Sequence, residues 1–193
     1  MIIRYLTMIL ILTSIGSGAT SNRHKYDFAT NLKYFGLSFH TIPSHWDYKL
    51  ALDKNGYAVL QIGAEVDLDF YLNDYFLLRA STLVYKDCFD LWAGAYHIGF
   101  RANLPVGEQW EFRFGIGPTV IWRQNWWTNV DRFAGDFFYG KDEKSGEFQT
   151  AFLWYGGNAE MEYYLADRTS FVLTMVPAIP QVFAFSAGLR QHF

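Results

Sequence analysis

Two stretches of the chain alternate between apolar and polar or small residues without a break. From Trp92 to Leu104, one parity holds Trp92, Gly94, Tyr96, Ile98, Phe100, Ala102 and Leu104, and the other holds Ala93, Ala95, His97, Gly99, Arg101 and Asn103. From Trp110 to Trp122, Trp110, Phe112, Phe114, Ile116, Val120 and Trp122 alternate with Glu111, Arg113, Gly115, Gly117 and Thr119. A period of two is the period of a strand, whose side chains point to opposite faces in turn. A charge between successive aromatics does not suit the core of a soluble sandwich. It suits a strand with lipid on one side and a packed, hydrated interior on the other. The pattern predicts an all-β chain forming a transmembrane β-barrel.

The same rhythm recurs. It predicts strands over Leu32–His40, Tyr57–Asp67, Tyr75–Val84, Trp92–Pro105, Trp110–Arg123, Phe148–Tyr164, Thr169–Val176 and Val182–Phe193. In the first, Phe35, Leu37 and Phe39 share one face, and Tyr34, Gly36, Ser38 and His40 the other. In the sixth, Leu153, Tyr155, Ala159, Met161 and Tyr163 are expected outside, with Asn158, Glu160 and Glu162 inside. Long connections include Thr41–Gly56 and Gln124–Glu147, and they alternate with short turns. Such asymmetry matches an eight-stranded antiparallel barrel with short inner turns and longer outward loops. Pro118 falls among the lipid-facing positions and removes one ladder hydrogen bond. The aromatic share of 20% against 18% charged residues points the same way, and the net charge of −3 with scattered Lys and Arg argues against nucleic acid. Residues 1–19 read as a signal peptide, with Arg4, a short apolar core and Ser17-Gly18-Ala19 for cleavage. Residues 20–31 read as an N-terminal arm and 32–193 as the barrel. The expected location is the outer membrane of a Gram-negative bacterium.

Inward-facing Arg79, Arg101, Arg113, Arg123 and Arg190 are expected to pair with Glu65, Asp67, Glu111, Glu160 and Glu162 inside the barrel. No spacing of His, Cys, Asp and Glu makes a metal site, and no cofactor is expected. Topology brings His40, Asp87 and Cys88 to the outer rim, because the first and third strands run the same way. That set holds a candidate base, an orienting carboxylate and a nucleophilic thiol. Polar residues also gather at any wet rim. Cys88 is the only cysteine, so it is either a buried small hydrophobe or a reactive thiol. His45, beside Trp46, is the rival base. Trp126-Trp127 fit an interfacial aromatic belt.

Several islands resemble one family. Lys86-Asp87-Cys88-Phe89 with Trp92 is similar to the Lys-Asp-Ser-aromatic…Trp segment of the lipid A palmitoyltransferases of Gram-negative outer membranes, the PagP family. Arg123-Gln124-Asn125-Trp126 resembles the family's Arg-Asp-Asn-Trp. Leu37-Ser38-Phe39-His40 resembles the segment ending in its histidine, and Ser170 to Pro177 resembles its seventh strand. The resemblance implies catalytic roles for His40, Asp87 and Cys88. It implies substrate-binding roles for Trp92, Gly99, Arg123, Asn125 and Trp126, with Gly99 as the floor of an acyl-chain pocket. The implied activity moves a palmitoyl chain from a phospholipid donor to lipid A. The implied protein is a monomer that reaches the membrane through the outer-membrane insertion machinery. The chain departs from the family in placing Cys88 where the family has serine. It also lacks the proline before the histidine, and Ser21–Asn31 shows no amphipathic helix. Competing readings are a non-catalytic structural or adhesive barrel and, lacking a His-x-Ser arrangement on a late strand, a lipid A deacylase.

Overall fold

The computed structural model describes residues 28–40, 48–130, 146–178 and 182–193. The signal-peptide reading, most of the arm, His45 and part of the longest loop lie outside them. The strands are β1 (Phe28–His40), β2 (Ala58–Tyr71), β3 (Phe76–Lys86), β4 (Trp92–Val106), β5 (Trp110–Gln124), β6 (Phe148–Ala166), β7 (Thr169–Ala178) and β8 (Val182–His192). A single helical turn, α1 (Trp126–Asn129), follows β5. Each strand pairs antiparallel with its sequence neighbours, and β1 pairs with β8 to close the barrel. The expected eight strands are all present. The first starts earlier than expected, because Phe28–Asn31 join β1 and pair with Asp67–Phe70 rather than forming an arm.

Alternation sorts lipid-facing from interior side chains as the sequence predicts. Tyr96, Ile98, Phe100, Phe114 and Ile116 are exposed on the outer wall. Arg79, Arg101, Arg113, Arg190, Glu160 and Glu162 are fully buried inside. Apolar side chains left on the outside of so closed a sheet need a hydrocarbon solvent, which a bilayer supplies.

Two bulges change faces that simple alternation assigned. In β1 the register slips between Phe35 and Leu37. Lys33 therefore points inward with Ser38 and His40, although its parity is opposite, and Tyr34 turns outward, away from the Ser38–His40 face it was expected to share. In β6 an extra residue enters between the partners of Gly117 and Thr119. Leu153 pairs with inward-facing Thr119 and so lies inside rather than outside, while Trp154 and Tyr155 both point to lipid, each 74% exposed. One extra residue flips every side chain beyond it, which a pattern read by parity does not register.

The turn-side half of the lumen is filled by charge. Lys33 Nζ lies 2.7 Å from Asp67 and 3.1 Å from Glu65. The Arg79 guanidinium lies 2.5 Å from Asp69 and 2.6 Å from Glu160. Arg113 meets Glu111 at 2.9 Å and Glu160 at 3.1 Å, and also contacts Glu162. Arg190 meets Asp69 at 3.0 Å and Glu160 at 2.5 Å, and also contacts Glu162. Glu160 is thus shared by Lys33, Arg79, Arg113 and Arg190. Buried ions without partners are prohibitively costly, so the network holds together as one unit. The expected pairing is met by Arg79, Arg113 and Arg190. Arg101 departs from it, donating to Asn158 Oδ1 with no carboxylate among the described residues in ion-pairing range. Arg123 donates to Gln149 Oε1 at 2.9 Å.

Candidate functional site: the outer rim

The outer rim is built from the loops that alternation leaves unassigned. After β3, the turn Asp87–Leu91 is organised by one carboxylate. Asp87 Oδ1 accepts the backbone N–H groups of Phe89 and Leu91, both at 2.9 Å. The Asp87 N–H donates to Leu91 O at 2.8 Å, and Asp90, with φ of 63°, closes the turn. An Asp that caps its own turn this way replaces backbone pairing with side-chain pairing. Its second oxygen, Oδ2, accepts the indole N–H of Trp126 at 2.8 Å. Asp87 therefore ties the β3–β4 turn to α1 beyond β5.

That tie closes an apolar cluster of Val59, Cys88 and Phe89, with Tyr48, Leu50, Leu91, Trp126 and Val130 packed against it. The Tyr48 ring sits 4.9 Å from His40 and 5.3 Å from Phe89. Phe89 meets Trp126 edge-on at 4.8 Å, and the Arg123 guanidinium lies 3.7 Å over the Trp126 ring. Leu50 secures the β1–β2 connection by donating to Cys88 O at 3.4 Å and accepting from Leu60 N at 2.9 Å. Asn125 is fully buried, accepts Trp127 N–H at 2.9 Å as the cap of α1, and donates to Gly146 O at 3.0 Å. Gln149 Oε1 also accepts Trp126 N–H at 3.1 Å.

The rim brings His40, Asp87, Cys88, Arg123, Asn125 and Trp126 into this one layer. It does not join the first three in a hydrogen-bonded relay. His40 is buried with its Nε2 only 3.4 Å from Ser38 Oγ, and its ring packs at a tilt against Tyr48; neither Asp87 nor Cys88 hydrogen-bonds to it. Cys88 is 3% exposed inside the apolar cluster. Burial raises its thiol well above the ordinary range, and the neighbouring Asp87 charge adds to the rise. A thiol held protonated is a poor nucleophile. Burial also raises the Asp87 carboxyl, against the lowering effect of the bonds from Leu91, Trp126 and Phe89.

The remaining expected residues fall elsewhere. Trp92 faces lipid, 46% exposed, with the Lys86 ammonium 4.5 Å from its ring, as an interfacial anchor is built. Gly99 faces inward, but a Cβ there would lie 2.5 Å from His97 Nε2 and 2.7 Å from Ile116 O, so the imidazole already occupies the space above it. A groove of about 470 Å³ lies on the lipid face, lined by residues that include Ala80, Tyr96, Ile98, Val120 and Phe152. Tyr48, Leu50 and Gln149 are rim residues that sequence reasoning passed over, and Phe89 entered it only as the aromatic of the Lys86–Phe89 island. The Asp-x-Phe spacing of Asp87 and Phe89 was the available signal for a self-capped turn.

One more feature sits beside the rim. The β6–β7 ladder runs from Ala166–Thr169 only as far as Ala159–Met175. Beyond it, Val176–Ala178 pair only with β8, and Phe148 to Asn158 pair only with β5 among the described residues. Pro177, which has no N–H to give, lies on this unpaired stretch. The inward positions of the neighbouring wall are apolar. Cross-strand partners share a face, so the row Leu83–Ala95–Ile121–Ala151 points inward with Glu65, and Leu153 beside it with Thr119. These apolar residues are partly exposed.

No family model matches the chain, and no curated protein matches it. Solved structures do. The N-terminal β-barrel domain of Pseudomonas aeruginosa OprF is similar with a TM-score of 0.51 at 12% identity, covering 86% of this chain and 97% of that one. Ail, the attachment invasion locus protein of Yersinia pestis, is similar with a TM-score of 0.50 at 11% identity, covering 87% of this chain and 99% of that one. At such identities the likeness carries the fold alone. Taken with the lipid-facing belt, that fold makes the chain an eight-stranded transmembrane barrel of the outer membrane.

Proposed function

We propose that the protein is a non-catalytic outer-membrane barrel that presents a rigid outer rim, serving a structural or adhesive role. The observation that carries this reading is the burial of Cys88 in the rim's apolar cluster, with both Asp87 oxygens engaged in holding that rim closed. The residues best suited to chemistry are used as construction. An ion-filled floor leaves the turn-side half of the barrel without a channel, so function falls to the outward loops.

The lipid A acyltransferase reading stands as the second proposal, because the unpaired β6–β7 stretch opens beside an inward apolar row that suits a hydrocarbon chain. It requires the rim to rearrange so that Cys88 emerges and His40 reaches it. Mass spectrometry of lipid A from cells with and without the protein separates the two. The first reading expects identical spectra. A palmitate-sized gain that persists in Cys88→Ser would replace it with the second, and loss of an acyl chain would point to deacylation.

A further inference from the structure

The groove in the lipid-facing wall is a product of strand register. Val66, Thr82, Tyr96, Val120 and Phe152 are successive cross-strand partners from β2 to β6, so they form one outward row. Leu68, Ala80 and Ile98 form the next row toward the turns, where Pro118 stands on β5 two residues from Val120. These two rows line the groove of about 470 Å³. Its floor is low because Ala80 and Pro118 have short side chains. Rings bound it at both ends: exposed Phe70, Phe76, Phe100 and Phe114 toward the turns, and Trp92 and Trp122 toward the rim.

Polar groups stand along its rim side. Thr82 and Tyr96 pair across β3 and β4, and neither hydroxyl has a hydrogen-bond partner among the described residues. Hydrocarbon offers none, so the acceptor has to come with whatever fills the groove. On the same outward face of β3, Val84 and Lys86 follow Thr82 toward the rim. The Lys86 ammonium lies 4.5 Å from the Trp92 ring and 3.8 Å from the exposed Asp90 carboxylate. One of its three donors goes to Asp90 O at 2.9 Å. The rim end of the groove therefore offers one cation beside one anion, at the depth of an interfacial tryptophan.

We propose that the groove seats one zwitterionic glycerophospholipid of the rim-side leaflet. Its phosphate would meet Lys86 and its ammonium Asp90. An ester carbonyl would accept from Tyr96 or Thr82, and one acyl chain would lie over Ala80 and Pro118. A single charge of each sign complements an ethanolamine phosphate head, whereas lipid A brings several negative charges and would meet Asp90 unfavourably. The seat is on the outer wall, outside the lumen, so it holds under either reading of the rim.

The test is native mass spectrometry of the full barrel released from nanodiscs holding equal amounts of phosphatidylethanolamine, phosphatidylglycerol and lipid A. One retained phosphatidylethanolamine per barrel is expected, in excess over the other two. Ala80→Phe fills the groove and should lower retention about tenfold. Tyr96→Phe keeps the shape, deletes the hydroxyl and should lower it about threefold. Asp90→Asn should remove the discrimination against phosphatidylglycerol. Ala102→Phe makes the same enlargement on the outward face of β4, turn-side of the groove, and should change nothing. Heat-dependent gel mobility shows first that each variant is folded. The proposal is overturned if the barrel leaves without lipid, or if phosphatidylglycerol or lipid A is retained as well. It is equally overturned if folded Ala80→Phe or Tyr96→Phe retains lipid normally, if Asp90→Asn keeps the selectivity, or if Ala102→Phe loses lipid as Ala80→Phe does. A dimer that Ala80→Phe dissolves would assign the groove to a second copy of the chain instead.

Discussion

The barrel is filled twice, in two different ways. Its turn-side half holds strand residues only, joined as ions: Lys33, Arg79, Arg113 and Arg190 around Glu160, Asp69 and Glu162. Its outer mouth holds loop residues, joined by rings and one carboxylate: Tyr48, Phe89, Trp126 and Asp87 around Cys88. The first filling joins six strands and is inseparable from the barrel. The second joins three connections and could loosen while the barrel stands. The comparison teaches that chemical character alone does not locate an active site. The floor carries the most charge and is structural, and the mouth carries the reactive residue types but spends them on its own closure.

The floor should dominate stability. Replacing Glu160 by Leu removes the shared partner of four buried cations, and breaking one side of such a network costs about 3–5 kcal/mol. The expected result is failure to fold or a large drop in the denaturant midpoint, read from the heat-dependent gel mobility of the folded barrel. A mild effect would show the floor to be divisible, which would break the comparison.

The mouth should respond locally. Asp87→Ala leaves the Phe89 and Leu91 amides and the Trp126 indole without their acceptor. Orphaned buried donors cost about 1–3 kcal/mol each. Protease should then cut the outer connections while the global unfolding midpoint shifts little. A global loss equal to that of Glu160→Leu would contradict the separation.

Acidity should sharpen it. The folded carboxyl of Asp87 titrates above its unfolded value because burial penalises the anion. Between those two values the folded state holds the proton and the unfolded state does not, so stability falls as pH rises through the window and returns on acidification. The rim should be most protease-resistant below the window, where its carboxyl is neutral. Asp87→Asn should flatten this dependence. An unchanged profile in the variant would assign the titration to another group.

The smallest effect belongs to Cys88. Trimming it to Ala removes a buried sulfur from the Val59–Phe89 cluster, an expected loss of about 1 kcal/mol. Cys88→Ser should cost more, because the backbone N–H groups of Cys88 and Phe89 that face the sulfur are donors and leave the hydroxyl proton without an assigned acceptor in an apolar cluster. A serine variant more stable than the alanine one would indicate a polar lining that the cluster does not show.

Much of the floor was legible in the sequence and little of the mouth was. The runs through β4 and β5 carry Glu111, Arg113 and Arg101 at every second position, so parity alone placed them inside. Parity failed at Lys33 and Leu153, because bulges in β1 and β6 add a residue without any composition signal. The rim has no period at all. Its assembly depends on contacts between Tyr48, Phe89 and Trp126, far apart in the chain. Sequence order could bring His40 and Asp87-Cys88 to one end of the barrel, as the structure does. It could not tell that Asp87 would face Trp126 and its own turn rather than His40.

The measurement that bears most directly on the rim is the alkylation rate of Cys88 in the folded barrel. A buried, protonated thiol should resist iodoacetamide across neutral pH and react at the rate of a free cysteine only after denaturation. Rapid labelling of the folded protein, with a midpoint below that of a free thiol, would reveal an activated thiolate and contradict the account of the rim as a structural cap.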